Sequence, residues 1–290
     1  MLIQQIVNGI TIGGIYALVA LGYSMVYSIL RIVNFAHGDI FMIGSFIGLS
    51  LTTTLGLPVY VSILVSCVLT ACVGVMIERA AYRPLYAKGG LSVLISALGV
   101  DIFLQNFARV LWGSETHPYP SELKVTSYTV GSVSITNIQI IIMILTAVLL
   151  LLLYLLVYRS RTGIAMRACA HSIVNARLMG INTNKIIIFT FGIGSILAAV
   201  AGNLIGIYYD AVYPSMGYSM GMKAFAAAIL GGIGSIPGAV IGGFLIGVVE
   251  ILGSAYISSG YRDAFAFAVM IIILIVRPSG LMGKKQQEKV

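Results

Sequence analysis

Ile138-Gln139-Ile140-Ile141-Ile142-Met143-Ile144-Leu145-Thr146-Ala147-Val148-Leu149-Leu150-Leu151-Leu152-Leu153-Tyr154-Leu155-Leu156-Val157-Tyr158 runs for 21 residues without an Asp, Glu, Lys, Arg or His. As an α-helix it spans about 30 Å, the thickness of a bilayer's hydrocarbon core. Its apolar residues do not alternate with polar ones, so a strand of a membrane β-barrel is excluded. This run belongs to the segment 137–158, and working outward, further runs of this kind lie at 5–27, 34–54, 58–78, 91–111, 185–209 and 264–276, with a glycine-interrupted region at 219–256. The expected fold is an all-α polytopic membrane protein of about eight transmembrane crossings, with broken or re-entrant segments.

Composition agrees. Of 290 residues, 59% are hydrophobic and 9% charged, and no soluble fold buries that much apolar surface. The first apolar run has no basic residue before it and no clean small-residue cleavage site after it, so it reads as a retained helix rather than a signal peptide. Cys67 and Cys72 share one expected helix and Cys169 falls in a basic loop. That arrangement makes no disulfide framework, and packing is the expected role of all three.

The cations set the orientation. Twelve of the 17 Lys and Arg residues fall in or beside the segments 79–90 and 159–185 and the tail from Arg277. The positive-inside rule makes these cytoplasmic. Residues 112–136 carry one Lys, two Glu and two Pro and are expected outside. The C-terminus is then cytoplasmic and the N-terminus outside. The net charge of +8 is a topology signal and an attraction to anionic membrane lipid, with no implication of nucleic-acid binding.

Two stretches break the apolar pattern. Arg31-Ile32-Val33-Asn34-Phe35-Ala36-His37-Gly38-Asp39 sets polar groups at the edge of a membrane helix. Lipid does not tolerate this unless the segment is buried in protein or lines a wet cavity. Asn34, His37 and Asp39 are therefore candidates for a translocation path. Leu230-Gly231-Gly232-Ile233-Gly234-Ser235-Ile236-Pro237-Gly238 is the second break, where glycine and proline remove side-chain bulk and helical preference together. By parity, 219–256 must enter and leave the membrane on one side. Gly231, Gly232 and Gly234 then join the path candidates as a hinge with free backbone groups near the midplane. Close helix packing is the other reading, since Gly238, Gly242, Gly243 and Gly247 fit small-xxx-small spacing. Each half of the chain also has an apolar helix ending in tyrosines (Tyr23 and Tyr27; Tyr208, Tyr209 and Tyr213) followed by a glycine-punctuated segment, as an inverted repeat would.

Asp101 and Glu250 lie inside expected helices. An unpaired carboxylate at a helix centre costs about 2.5–3.5 kcal/mol on insertion scales, so both must face protein or water. They serve either an ion relay or an internal hydrogen bond to Tyr, Ser or Asn. His37 and Asp39, two residues apart, point to different sides of a helix, and no metal site is expected. Gly192-Ile193-Gly194-Ser195 and Gly232-Ile233-Gly234-Ser235 lack the full elbow of a serine hydrolase, so no catalytic residue is assigned.

Four separated blocks resemble one known family. Asn34-Phe35-Ala36-His37-Gly38-Asp39, Ile77-Glu78-Arg79-Ala80-Ala81-Tyr82-Arg83-Pro84, Gly180-Ile181-Asn182-Thr183 and Ala228-Ile229-Leu230-Gly231-Gly232-Ile233-Gly234-Ser235-Ile236-Pro237-Gly238 are similar, in the same order, to LivH-type permease subunits of bacterial high-affinity branched-chain amino acid ABC transporters. The resemblance runs nearly end to end. It implies one permease domain over 1–290 in the bacterial inner membrane, importing Leu, Ile or Val. It further implies a LivM-type second permease, two ABC ATPase subunits and a periplasmic substrate-binding protein. It makes 161–180 a cytoplasmic coupling helix seated in the ATPase. No Gly-x-x-x-x-Gly-Lys-Ser/Thr loop occurs, so no cofactor is expected on this chain and ATP and Mg²⁺ belong to the partner ATPase. Along 161–180, Ile164, Ala168, Ser172, Ala176 and Met179 recur at near-helical spacing as a packing stripe, beside a stripe of Arg167, His171, Asn175 and Leu178 free for a partner. Related permeases for urea, amides or other amino acids, and an ion-coupled secondary transporter working through Asp101 and Glu250, are the alternatives.

Overall fold

The computed structural model describes residues 1–120, 125–131 and 133–283. The helices are α1 (Leu2–Leu30), α2 (His37–Thr53), α3 (Val59–Ile77), α4 (Gly90–Trp112), α5 (Asn137–Arg159), α6 (Arg161–His171), α7 (Ile173–Leu178), α8 (Thr183–Tyr209), α9 (Met216–Gly231), α10 (Ile236–Tyr256) and α11 (Arg262–Val276). Among the described residues, seven helical stretches are long and apolar enough to cross a membrane: Leu2–Leu30, Val59–Lys88, Gly90–Trp112, Asn137–Arg159, Thr183–Tyr209, Ile236–Tyr256 and Ser259–Val276. The shorter α2 and α9, of 17 and 16 residues, lie inside the bundle they make.

α1 is the axis. It packs on α10, α8 and α9 and is buried almost throughout. Glycines make the α1–α10 contact possible, because a Cβ on Gly243 would meet the Ala17 backbone and one on Gly247 would meet Gly13. The small-xxx-small reading of Gly243 and Gly247 is thus realised. On the other side, Asn203 of α8 donates to the Gly44 carbonyl (3.2 Å) and to Ser66 Oγ (3.0 Å) and accepts from Tyr119 (2.8 Å). That set ties α8 to α2, α3 and a loop segment.

Three local expectations are corrected. The 79–90 stretch is helical rather than a loop, with a π turn at Glu78–Tyr82 and a 3-10 helix at Arg83–Lys88, and the Tyr82 hydroxyl reaches Asn34 Oδ1 at 2.6 Å. The 112–136 loop holds an antiparallel pair, β1 (Ser127–Val130) and β2 (Val133–Thr136). Thr136 then opens α5 with a capping box to Gln139. The second helix begins at His37, not at 34, because Arg31 turns left-handed (φ 56) and the next residues are not helical.

The two faces separate cleanly. Gln4 and Ser134 exchange hydrogen bonds, so the start of α1 shares a face with β2. The end of α1 shares the opposite face with α6 and the 278–283 segment around one groove. The 79–88 segment joins that face through Tyr82 and Asn34. Among the described residues, the basic 79–88 and α6 segments therefore gather on one side, opposite β2.

Candidate functional site at the meeting of two short helices

Arg31 (φ 56) and Asp210 (φ 49) are the positive-φ non-glycine residues among those described, and each ends a long helix. After each comes a short connector, and then a short helix: α2 after 31–36, α9 after 210–215. The two halves run in opposite directions, as the parts of an inverted repeat would. Both connectors turn back into the bundle. His37 packs on Gly22, eight residues or about 12 Å before the end of α1. It also lies near Gly194, which is about 16 Å from one end of α8 and about 22 Å from the other. α2 thus starts near mid-depth, and α9 starts against it: a Cβ on Gly38 would strike the Gly217 carbonyl, and one on Gly221 would meet Gly38 Cα.

Neither helix start is capped by a side chain. Ala36 and Ser215 stand at the N-cap positions without such a bond, whereas Thr136, Ser160, Ser172, Asn182 and Ser235 cap α5, α6, α7, α8 and α10. Uncapped N-termini present N–H groups and the positive ends of their dipoles. Asp39, 0% exposed, places Oδ1 beside Gly217 at the start of α9. Neither of its carboxyl oxygens has a close hydrogen-bond partner. Asp101 and Gln105 of α4 are the polar side chains that reach toward it, and Gln105 donates to Asp101 at 3.4 Å. Asn34 Nδ2 and His37 Nε2 are also buried without partners. The Tyr23 ring stands edge-on to His37 with centroids 4.8 Å apart. Each unmatched buried polar group carries a desolvation cost of about 1–3 kcal/mol. Asn34, His37 and Asp39 together make this junction the candidate polar site.

Four expected path residues, Asn34, His37, Asp39 and Asp101, therefore come together. Glu250 does not join them. Its Oε1 accepts from Lys223 of α9 (2.9 Å) and Arg262 of α11 (2.5 Å), Lys223 also meets Asp263 (2.6 Å), and Arg262 donates to Tyr209 (2.8 Å). The partners of Glu250 are cations rather than the Tyr, Ser or Asn expected of an internal hydrogen bond. This network straps α9 to the α10–α11 pair.

Gly231, Gly232 and Gly234 also lie elsewhere. The break is the turn between α9 and α10, on the basic face beside Tyr27, Ser28 and the 278–283 segment. The expectation of free backbone groups at mid-depth fails. The carbonyls of 229, 230, 231 and 232 accept from the N–H groups of 232, 281, 282 and 235. The chain after α11 folds under the turn and uses those acceptors.

The expected 161–180 helix is two, α6 and α7, because Ser172 is extended (φ −161, ψ 116) and its hydroxyl caps α7 at the Asn175 N–H. The break disrupts the single periodicity. Gly163, Met166, Cys169 and Ala176 face inward, while Ile164 and Met179 are exposed. Arg167, His171, Asn175 and Leu178 remain accessible, with Leu178 81% exposed. Arg31, Arg167 and His171 line a groove of about 1140 Å³ with the glycine turn.

Sequence reasoning missed Tyr82, Gly38, Gly217 and Gly221 at the junction, and Lys223, Arg262 and Asp263 in the network. Lys223 left a usable signal, being the one cation between Lys185 and Arg262. A lone lysine amid apolar helix needs an acid partner.

Comparison with known proteins places this architecture. Residues 5–274 match the family described as branched-chain amino acid transport system, permease component. The chain is 44% identical over 301 residues to the high-affinity branched-chain amino acid transport system permease protein LivH of Escherichia coli (strain K12), covering 99% of this chain and 97% of that one. It is 43% identical over 300 residues to BraD of Pseudomonas aeruginosa, named with the same transport system, covering 99% and 98%. In fold it is similar to a chain of PsaBC from Streptococcus pneumoniae, solved in complex with Fab, with a TM-score of 0.51 at 14% identity over 95% of this chain and 91% of that one. With the family matched from the first long helix to the last, the chain belongs to the permease components of branched-chain amino acid transport systems.

Proposed function

We propose that this chain is the permease subunit of an ATP-driven importer that carries leucine, isoleucine and valine across a bacterial inner membrane, and that the solute passes the α2–α9 junction. The observation that carries this reading is the set of unmatched polar groups, Asn34, His37 and Asp39, where two uncapped helix starts meet. The names of its relatives support the solute class. Residues 1–290 act as one permease domain, with the N-terminus outside and the C-terminus in the cytoplasm. The exposed side of α6–α7 takes a partner ATPase, which holds ATP and Mg²⁺; this chain needs no cofactor of its own. A LivM-type second permease and a periplasmic binding protein complete the importer.

The test is uptake of labelled leucine into proteoliposomes containing the chain with its co-encoded partners. Accumulation that needs both ATP and the binding protein is expected. Uptake by this chain alone in ATP-free liposomes would make it a secondary transporter. Accumulation of urea with leucine excluded would leave the importer standing and correct its solute.

A further inference from the structure

Asp101, Gln105 and Arg109 stand four residues apart on α4 and so form one row along it, with Arg109 about 12 Å from Asp101. Gln105 donates to Asp101 at 3.4 Å, and Asp101 reaches toward the buried Asp39 at the α2–α9 junction. α4 leaves the basic face at Gly90 and ends at Trp112, so Arg109 stands toward the opposite face. Beside Arg109 lies a cavity of about 450 Å³, the size of a small-molecule site. Its lining is Arg109, Ser114, Thr116, Tyr213, Pro214 and Ser215. Paired backbone hydrogen bonds of 2.9 Å between His117 and Val212 join its two walls, the segment after α4 and the connector into α9.

The lining offers a guanidinium and four hydroxyls and, among the described residues, no carboxylate. Glu115 and Asp210, the acids nearest in sequence, are exposed and outside it. Arg109 meets the neutral Asn106 Oδ1 at 3.3 Å, and no Asp or Glu among the described residues pairs with it. Ser215, the N-cap of α9, makes no capping bond, so the positive end of α9 lies at the cavity with its cap hydroxyl unspent. An unpaired guanidinium among hydroxyls is chemistry for a carboxylate. The charge then reverses along the chain. Two residues past Ser215, Gly217 meets Asp39, whose carboxyl oxygens are unmatched. A cation at the mouth and an acid beyond it complement a zwitterion that enters with its ammonium leading, whereas a neutral solute such as urea gains no charge pairing from either.

We infer that this cavity is an antechamber for the α-carboxylate of an amino acid, held by Arg109 and the hydroxyls around it before the solute passes between α2 and α9. The inference rests on the importer reading above and adds which group of the solute is read first, and by which residues.

The test uses the whole complex, expressed with its partners, with Ser215→Cys as the one thiol of this chain and Cys67, Cys72 and Cys169 replaced by alanine. Methanethiosulfonates bearing a sulfonate or a trimethylammonium group probe the cavity, each rate normalised to its reaction with free cysteine. The sulfonate should react about tenfold faster, as in a cleft lined by one sign of charge. Leucine and 4-methylpentanoate should protect the thiol, and 3-methylbutylamine, which lacks the carboxylate, should not. Arg109→Gln should abolish both the preference and the protection, and Arg109→Lys should keep the preference. Equal normalised rates, or protection by the amine as strong as by the carboxylate, overturn the antechamber. If the Ser215→Cys complex does not assemble, Ser114→Cys reports on the same cavity. In proteoliposomes Arg109→Gln should lower leucine uptake at least fivefold. Uptake by this variant at the wild-type rate, still needing ATP and the binding protein, removes the subsite and leaves the importer standing. Wild-type uptake without ATP removes the importer reading, while the labelling still decides the cavity's chemistry. Lost uptake with weaker capture of the binding protein and no protection by free carboxylates overturns the subsite and assigns Arg109 to that docking surface.

Discussion

Gly38 of α2 and Gly217 of α9 meet backbone to backbone near the middle of the bundle, where a side chain on either would displace the other helix. The contact closes the space between two uncapped helix starts and shuts Asp39 away from solvent. If the solute passes here, as proposed, that space must open in turn to each side. Glycine permits the close approach, and nothing larger than a hydrogen atom fits.

Gly38→Ala should therefore destabilise. Its Cβ meets the Gly217 carbonyl and lies 2.9 Å from Gly221 Cα, both backbone atoms that cannot rotate aside. Overpacking of this kind costs about 1–3 kcal/mol. Gly192→Ala is the control, since the atom nearest its Cβ is a Val75 methyl at 3.8 Å. Melting in detergent should fall for the first and hold for the second; equal melting curves would mean the helix starts do not touch.

The Glu250 network makes an ordered prediction. Glu250→Gln leaves Lys223, 3% exposed, with Asp263, whose side chain is 62% exposed, and leaves Arg262 with the Tyr209 hydroxyl. Stranding a buried charge costs about 3–5 kcal/mol. Lys223→Met should cost less, because Glu250 keeps Arg262 at 2.5 Å. Thermal unfolding of both variants checks the order, and a larger loss for Lys223→Met would place the strength of the network elsewhere.

Much of the fold was readable because hydrocarbon imposes a simple rule: long apolar runs become helices, and cations stay on one side. Residues 137–158 and 185–209 became α5 and α8 almost to the residue. The burial of the polar stretch at 34–39 was also legible, since Asn34, His37 and Asp39 have no business at a lipid-facing edge. What stayed hidden depends on which helix meets which. Glycines at 38, 217 and 221 read like dozens of others until α9 is seen to start against α2. The turn at 231–234 read as a mid-depth hinge because its glycines announce a broken helix but not its depth. The 281 and 282 N–H groups that fill its acceptors come from a segment some fifty residues away. Ser172 misled in another way, since one extended residue ends a periodicity that a helical wheel assumes to be continuous.

The glycine turn predicts unequal costs within one motif. Gly232 has φ 100 and Gly234 φ 90, so any side chain at either position is strained by about 1–2 kcal/mol. At Gly232 a Cβ also meets the Gly283 backbone and the Ser279 carbonyl at 3.0 Å, whereas at Gly234 the nearest atoms are 3.6 Å away. Gly232→Ala should melt lower than Gly234→Ala, and both below wild type. Equal losses would show that the chain after α11 does not fold under the turn as described.

Coupling gives the last prediction, on the exposed stripe of α6 and α7. Arg167 lies over the Tyr158 ring at 5.5 Å and His171 is open to solvent, both lining the groove beside the glycine turn. Neither side chain holds the bundle together. An exposed cation–π contact is worth about 0.5–1 kcal/mol, so Arg167→Glu should shift melting only slightly, and His171→Glu less. If an ATPase seats on this stripe, a reversed charge adds repulsion and an unmatched desolvation cost at the interface. The expected outcome is a complex that inserts and melts near wild type, yet loses at least nine-tenths of its substrate-stimulated ATP hydrolysis. Asn175→Ala, one helix further along on α7, should fall between these variants and wild type, because it removes a contact without adding repulsion. ATPase co-purification, hydrolysis and melting measured on one preparation separate lost docking from lost folding. Full stimulated hydrolysis in both charge variants would take α6 and α7 out of the coupling path and leave the ATPase to dock on the 79–88 segment, the other basic stretch on the same face.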